Sequence, residues 1–250
     1  MATVLALIDR IAPDNGVHDT PLAGVQVFRV THPIVRAPSL YPASVCAILQ
    51  GSKRVYYDGA AHTYDTQRYL CNSMPLPVEA EVPEASPQRP ILGLLVSLET
   101  TAMAETLVAY ETSPTDVASD AEVTGPGLFV APWDAGFRDA LFRLIVVLGD
   151  PVALHVVGSA RLREFLVSIL RGPAGVTLRR RLGRGSRISR IVGHMRDHLA
   201  EPLAVGDLAR QAGMSRAVFH RRFKEATSQS PLQFIEALRL NGAAMLIAQA

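Results

Sequence analysis

Residues 203–235 constrain this chain more than any other stretch. Apolar residues recur at helical spacing up to Ala212, Gly213 interrupts them, and Ser215 stands where an N-cap belongs before a second helical pattern. Two short helices about a Gly-containing tight turn make a helix-turn-helix. On the second helix Phe219 and Phe223 are four residues apart and share one face, which must turn inward onto Leu208, Ala209 and Ala212. The opposite face then presents Arg216, Ala217, His220, Arg221 and Lys224, the shape and charge of a helix that lies in a DNA major groove. Arginine forks onto guanine acceptors and a small apolar side chain touches a thymine methyl. Ala217, His220 and Arg221 are therefore the expected base readers, with Arg216, Arg222 and Lys224 nearer the phosphates. On an isolated helix the same charges would be no more than a solvated face. The turn and the upstream helix weigh against that. A third helix is expected from Ser230 as N-cap and Pro231 at the first helical position, with Leu232, Ile235, Leu238 and Leu246 at helical spacing. Its free amides and Ser230 are a further place for a phosphate.

The charge distribution supports two jobs on one chain. Residues 1–150 hold 9 Lys and Arg against 17 Asp and Glu, a net −8, whereas residues 151–250 hold 16 against 6, a net +10. The overall +2 hides that split. The basic half suits a polyanion and the acidic half is repelled by one. With 250 residues, 48% of them hydrophobic and 19% charged, the chain has room for one large or two ordinary folded domains. The apolar run from Val4 ends at Asp9, too short for a signal peptide or a membrane span, so a cytoplasmic, membrane-free protein is expected. Val4, Leu7, Ile8 and Ile11 instead suit a short amphipathic helix packed on the body. Cys46 and Cys71 lack metal or redox spacing and lie in apolar strand-like stretches, which predicts buried, reduced thiols.

Between about residues 24 and 99 the pattern is of short strands. Val25, Val27, Phe28 and Val30 open it, 44–50 is an apolar run, and Asp58-Gly59 is a hairpin signal between 54–57 and 62–65. Val78, Ala80 and Val82 alternate with Glu79 and Glu81, and 91–98 reads as a fully buried strand. Strands this short and this often punctuated by proline predict a small barrel or sandwich, whose interior can hold one small ligand. Tyr56, Tyr57, Tyr64 and His62 are the candidate pocket residues, and Trp133 another; aromatic residues in a barrel are more often core. Helical period returns at 101–111, 133–148 and 160–171, and the Gly- and Arg-rich 171–187 reads as a joint between domains.

Two stretches carry a resemblance to a known family. One runs from Ile48-Leu49-Gln50-Gly51 through Met74-Pro75-Leu76-Pro77-Val78-Glu79-Ala80-Glu81-Val82. The other runs from Glu201-Pro202-Leu203 through Ser230-Pro231-Leu232-Gln233-Phe234 to Leu238-Arg239-Leu240. The chain resembles AraC/XylS-type bacterial transcription regulators, in the subgroup with an AraC-type N-terminal ligand domain. The resemblance implies an α+β chain: an N-terminal cupin-like β-barrel with packing helices over 1–170, a linker at 171–187, and an all-α helix-turn-helix domain over 188–250. That family joins two helix-turn-helix units by a long helix. Here the sequence stops at Ala250 inside what looks like the joining helix, so the domain is expected to be incomplete, truncated before the second unit. A single unit makes few phosphate contacts and is expected to bind DNA weakly unless a second copy supplies another half-site.

The implied function is sequence-specific transcription regulation, the barrel sensing a small molecule or dimerising. The implied partners are double-stranded DNA, a small-molecule effector, a second copy of the chain and RNA polymerase. Two alternatives stand beside it: a truncated regulator that acts by forming heterodimers, and a cupin-like ligand-binding or enzymatic protein. No nucleophile elbow, P-loop or dinucleotide fingerprint is present, so neither catalysis nor a cofactor is expected. His32 and His62 lack the clustered partners a metal needs. His194 and His198, four apart on a helix, lack a third ligand nearby in sequence and are expected as exposed side chains.

Overall fold

The computed structural model describes residues 2–111, 127–182 and 187–248. Helix α1 (Ala2–Ile11) leads into β1 (Gly16–Asp19), β2 (Val25–Val30), β3 (Ile34–Tyr41), β4 (Ser44–Gln50) and β5 (Ser52–Tyr57). Next come β6 (Ala60–Asp65), β7 (Arg68–Asn72), β8 (Leu76–Val82) and β9 (Ile91–Ser97). Helix α2 (Thr101–Glu111), strand β10 (Leu128–Pro132) and helices α3 (Ala135–Leu148), α4 (Pro151–Arg171) and α5 (Gly175–Leu182) follow. The basic half continues with α6 (Arg187–Asp197), α7 (Val205–Gln211), α8 (Arg216–Thr227) and α9 (Pro231–Ala248). The fold is α+β.

The strands form one antiparallel sheet in the order β1-β2-β9-β4-β7-β6-β5-β8-β3, with β10 added to β7. Its two ends, β1 and β3, are edges, so the sheet does not close on itself. Both edges are blunted: β1 has four residues, and β3 carries Pro38 and a register shift between its pairs with Val82 and Ala80.

Strand parity explains the long apolar runs. Val45, Ala47 and Leu49 of β4 face one cluster with Val25, Val27, Tyr69, Cys71, Leu92, Leu94 and Val96. Their neighbours Cys46 and Ile48 face the other cluster with Phe28, Leu70, Tyr64 and Ile91. A sheet buried on both sides needs apolar residues at every position rather than at alternate ones. Phe28 lies so close over Gly93 that a Cβ there would come within 2.3 Å of its ring, which is why this central strand carries a glycine.

The first cluster is closed by helices. Val4 and Ile8 of α1 are buried in it, together with Leu141, Leu144 and Ile145 of α3 and Leu162, Phe165 and Leu166 of α4. Phe137 stacks on Tyr69 with ring centroids 4.2 Å apart, and Trp133 and Phe165 tilt against it at 5.4 and 5.3 Å. Trp133 is therefore core. Asp134 caps α3 by accepting the Phe137 amide at 2.7 Å, so the helix starts at Ala135 rather than 133. Helix α4 starts at Pro151, nine residues ahead of the expected 160. Asp150 accepts the amides of Val152 and Ala153 at 3.0 Å, and proline occupies the first helical position. Much of the expected joint is helical as well. Ala174 and Leu178 bury themselves in the helical cluster and fix α5. Residues 183–186 of that joint, and the Leu246 side chain, lie outside the described residues.

The second cluster joins the sheet to the basic half. Tyr57, Met74, Leu76 and Val78 of the sheet side belong to the same buried group as Ile191, Met195, Phe219, Phe223, Phe234 and Leu238. The helical unit is thus seated on the sheet face opposite α3 and α4.

Candidate nucleic-acid interface

Helix α7 ends in a Schellman cap centred on the glycine of the turn. Gly213 has φ +64°, its amide donates to the Arg210 carbonyl at 2.9 Å, and the Met214 amide donates to the Ala209 carbonyl at 2.9 Å. Only a residue without a Cβ takes that backbone freely. Ser215 then starts α8, its hydroxyl oxygen accepting the Val218 amide at 3.4 Å. These two signals set the angle between the helices.

Side-chain packing sets which face looks out. Phe219 and Phe223 are 0% exposed, tilted against each other at 5.4 Å, with Phe234 edge-on to Phe223 at 5.2 Å. Leu208, Ala209 and Ala212 are buried beneath them. The opposite face carries Arg216, Ala217, His220, Arg221 and Lys224, all exposed, at the spacing of one helical stripe. Arg222 is half-buried at the edge of that stripe. Arg221 lies 4.0 Å from Glu225 one turn on, an exposed pair weak enough to exchange for a phosphate or a base.

The third helix begins as its sequence suggests, with a reciprocal capping box. The Gln233 amide donates to Ser230 Oγ at 3.3 Å and the Ser230 amide donates to Gln233 Oε1 at 3.1 Å. Ser230 is half-buried and engaged as a cap. Ile235 and Leu238 are buried, whereas Leu232, expected on the same stripe, is 56% exposed. Phe234 takes its place in the core because the helix rolls that residue toward Phe223.

Several contributors carry no sequence signal of their own. Arg187, exposed on α6, points its guanidinium at the turn, 3.3 Å from the Gly213 carbonyl. Arg216 lies directly over Gly206, where an added Cβ would come within 2.5 Å of its guanidinium. That cation is held at the start of α7 by a missing side chain. Arg239 ties α9 to the α6–α7 loop by donating to the Leu199 and Glu201 carbonyls at 3.1 and 3.0 Å.

The sheet reaches the end of the same recognition helix. The Ala226 carbonyl, in the last turn of α8, accepts the Tyr57 hydroxyl at 3.1 Å and the Gly127 amide at 2.8 Å. Ser73 in turn holds the Gly127 carbonyl through its hydroxyl at 3.0 Å and its amide at 2.9 Å. Burial pushes the Tyr57 hydroxyl above its ordinary pKa, which disfavours the phenolate and keeps the donor protonated. Arg196 of α6 adds an ion pair with Glu99 at 2.7 Å.

The candidate pocket residues separate. Tyr56 and Tyr57 line a cleft of about 930 Å³ between the sheet and the α8–α9 turn. Tyr64 is fully buried, its hydroxyl 3.3 Å from that of Tyr41, and it belongs to the second core cluster. His62 is half-buried on β6 and does not itself line the cleft, although its neighbour Ala61 does. Cys46 and Cys71 are buried free thiols, and burial pushes Cys46 up to about 11 and Cys71 further. His194 and His198 are half-buried rather than exposed, their rings 4.2 Å apart, with His198 Nδ1 bonded to the His194 carbonyl at 2.9 Å. Among the described residues no group of three or more His, Cys, Asp or Glu is placed to hold a metal. No helix among them is long and apolar enough to cross a membrane.

An acidic sheet domain joined to a basic helix-turn-helix defines a two-domain regulator, and known proteins give it a family. Residues 21–177 match the AraC-type transcriptional regulator N-terminus, and residues 195–236 match the bacterial regulatory helix-turn-helix proteins of the AraC family. The chain belongs to the AraC family of bacterial transcription regulators. No curated protein matches its sequence. Among solved structures, it is similar to unsaturated fatty acid bound ToxT from Vibrio cholerae strain SCE256, at 10% identity and a TM-score of 0.39, covering 89% of this chain and 97% of that one. Another crystal structure of Vibrio cholerae ToxT gives 10% identity, a TM-score of 0.37, and coverage of 85% and 97%. The AraC-like transcriptional activator CuxR gives 14% identity, a TM-score of 0.39, and coverage of 91% and 79%.

Proposed function

We propose that this regulator reads DNA with the outward stripe of α8, Ala217, His220 and Arg221 touching base edges while Arg216, Arg222, Lys224 and Ser230 lie toward the phosphates. The observation that carries this is the two-faced helix: Phe219 and Phe223 fully buried, and the cationic stripe turned outward. Arg221 supplies the bidentate donor that distinguishes guanine, and Ala217 supplies an apolar contact for thymine. The N-terminal domain senses a small-molecule effector, consistent with its match to the AraC-type N-terminus. The chain works in the cytoplasm as a homodimer whose two helix-turn-helix units read two half-sites, and it acts on transcription through RNA polymerase rather than by catalysis. A second copy adds phosphate contacts that one unit lacks.

Selection from a random duplex library with the whole chain, followed by anisotropy titrations at two salt concentrations, tests this. Arg221→Ala is expected to relax preference at one base position and cost about 1–3 kcal/mol there. Lys224→Ala is expected to weaken all sequences alike and to lower the salt slope by about one. If Arg221→Ala left the selected sequence unchanged, base reading by this face would be refuted.

A further inference from the structure

The cleft beside Tyr56 and Tyr57 has a chemistry of its own. One wall comes from the β5–β6 hairpin, β3 and β8, the other from the α8–α9 turn and α9, and Pro38, Pro77, Val78 and Leu240 make it largely apolar. Three charged residues line it: Arg36, Asp58 and Glu79. Arg36 is already committed, since its Nε donates to Glu79 at 3.0 Å and its guanidinium lies 3.8 Å above the Tyr56 ring. Asp58 sits exposed at the hairpin turn, at φ +53°, with no ion pair among the described residues. The helical wall offers Thr227, Ser228, Gln229, Ala237, Leu240 and Asn241, none of them cationic. Counted over its lining residues, the cleft therefore carries one net negative charge; the Arg181 guanidinium, which acts on the Tyr57 hydroxyl, is buried.

We propose that this cleft binds a small organic cation with an apolar or aromatic body, an aromatic amine or ammonium, with Asp58 taking the charge and the apolar wall taking the body. This rests on the effector-sensing reading above and assigns it a surface and a ligand class. The occupant lies against Tyr57, Thr227 and Ser228, next to the Ala226 carbonyl by which the sheet holds the recognition helix. Filling the cleft thus bears on the joint that positions α8.

The test uses the whole chain without DNA and three probes of one shape: 1-naphthylmethylammonium, 1-naphthylmethanol and 1-naphthoate, titrated by calorimetry. The ammonium is expected to bind at least about tenfold more tightly than the carboxylate, because the carboxylate meets the unpaired anion. Asp58→Asn, which keeps a residue tolerant of positive φ, is expected to weaken the ammonium about five-fold and leave the alcohol unchanged. Ala61→Trp, which fills the cleft from an exposed position on β6, is expected to remove all three. Equal affinity for the three probes, no saturable ammonium binding, or an ammonium affinity that neither variant changes would overturn the proposal. Failure here removes only this cleft and ligand class, whereas the effector-sensing reading fails separately, if no metabolite pool shifts the melting temperature of the intact chain.

Discussion

Replacing Tyr57 by Phe isolates the hydrogen bond that joins the sheet to the recognition helix. The ring stays, so no cavity forms and the buried aromatic surface is kept. The Ala226 carbonyl loses the hydroxyl at 3.1 Å but keeps the Gly127 amide at 2.8 Å, itself braced by Ser73. An acceptor left with one donor is not orphaned. The cost is then the net worth of one neutral hydrogen bond, about 0.5–1.5 kcal/mol, rather than the roughly 1–3 kcal/mol of an unsatisfied buried group. For a chain of this length that corresponds to a fall in Tm of roughly 2–4 °C per kcal/mol. Urea unfolding followed by circular dichroism measures it as a lower midpoint at unchanged slope. Hydrogen exchange locates it, with faster exchange expected in the last turn of α8 and unchanged exchange in β4 and β9. A loss well above about 2 kcal/mol would mean that the Gly127 amide does not hold the carbonyl. No loss at all would mean that the hydroxyl is not bonded to it.

Phe223→Ala removes a fully buried ring that two other aromatic rings contact, and is expected to cost about 3–5 kcal/mol, most of the stability a small helical unit possesses. Circular dichroism should show lost helix and DNA binding should vanish, whereas Arg221→Ala should leave the melting curve in place. Cys46 and Cys71 should resist a disulfide reagent at about pH 8 in the native chain and react fully in guanidinium, since only the thiolate attacks and burial disfavours it. The linked stability is full below about pH 8.5, where neither state has lost the thiol proton, and falls as pH rises toward 11 because the unfolded thiols ionise first. A midpoint that rose over that interval would contradict buried neutral thiols.

The turn at Gly213 was legible because local chemistry decides it: a left-handed corner takes glycine, and a cap takes serine. The same holds for the Phe219/Phe223 face and for the capping box at Ser230. Strand β3 was not legible, because Pro38 and a solvent-facing Val35 break the alternation that marks a half-buried strand. Helix α4 carried its start signal in Asp150-Pro151, but its first turns expose Val152 and Val156, which blurs the apolar stripe. Helix α5 runs against its Gly- and Arg-rich composition, since tertiary burial of Leu178 outweighs weak local propensity. Tyr64 and Tyr57 illustrate the limit for the site. Both are aromatic strand residues near one hairpin, and only the curl of the sheet puts one in its core and the other against α8.

The charge split acquires a physical meaning from how the halves meet. If opposite charge held them together, ion pairs would dominate the joint. Among the described residues Arg196 pairs with Glu99, and the body of the seam is Tyr57, Met74, Leu76, Phe219 and Phe223. Burial of apolar surface makes the attachment, and it survives salt. The exposed cations Arg216, Arg221 and Lys224 of α8 face away from that seam, where a polyanion can reach them. DNA affinity should therefore fall steeply with salt while the attachment of the two halves does not. Measured on the intact chain without DNA, hydrogen-exchange protection of the last turn of α8 should be the same at low and high salt. Salt-dependent loss of that protection would place electrostatics, not apolar packing, at the joint.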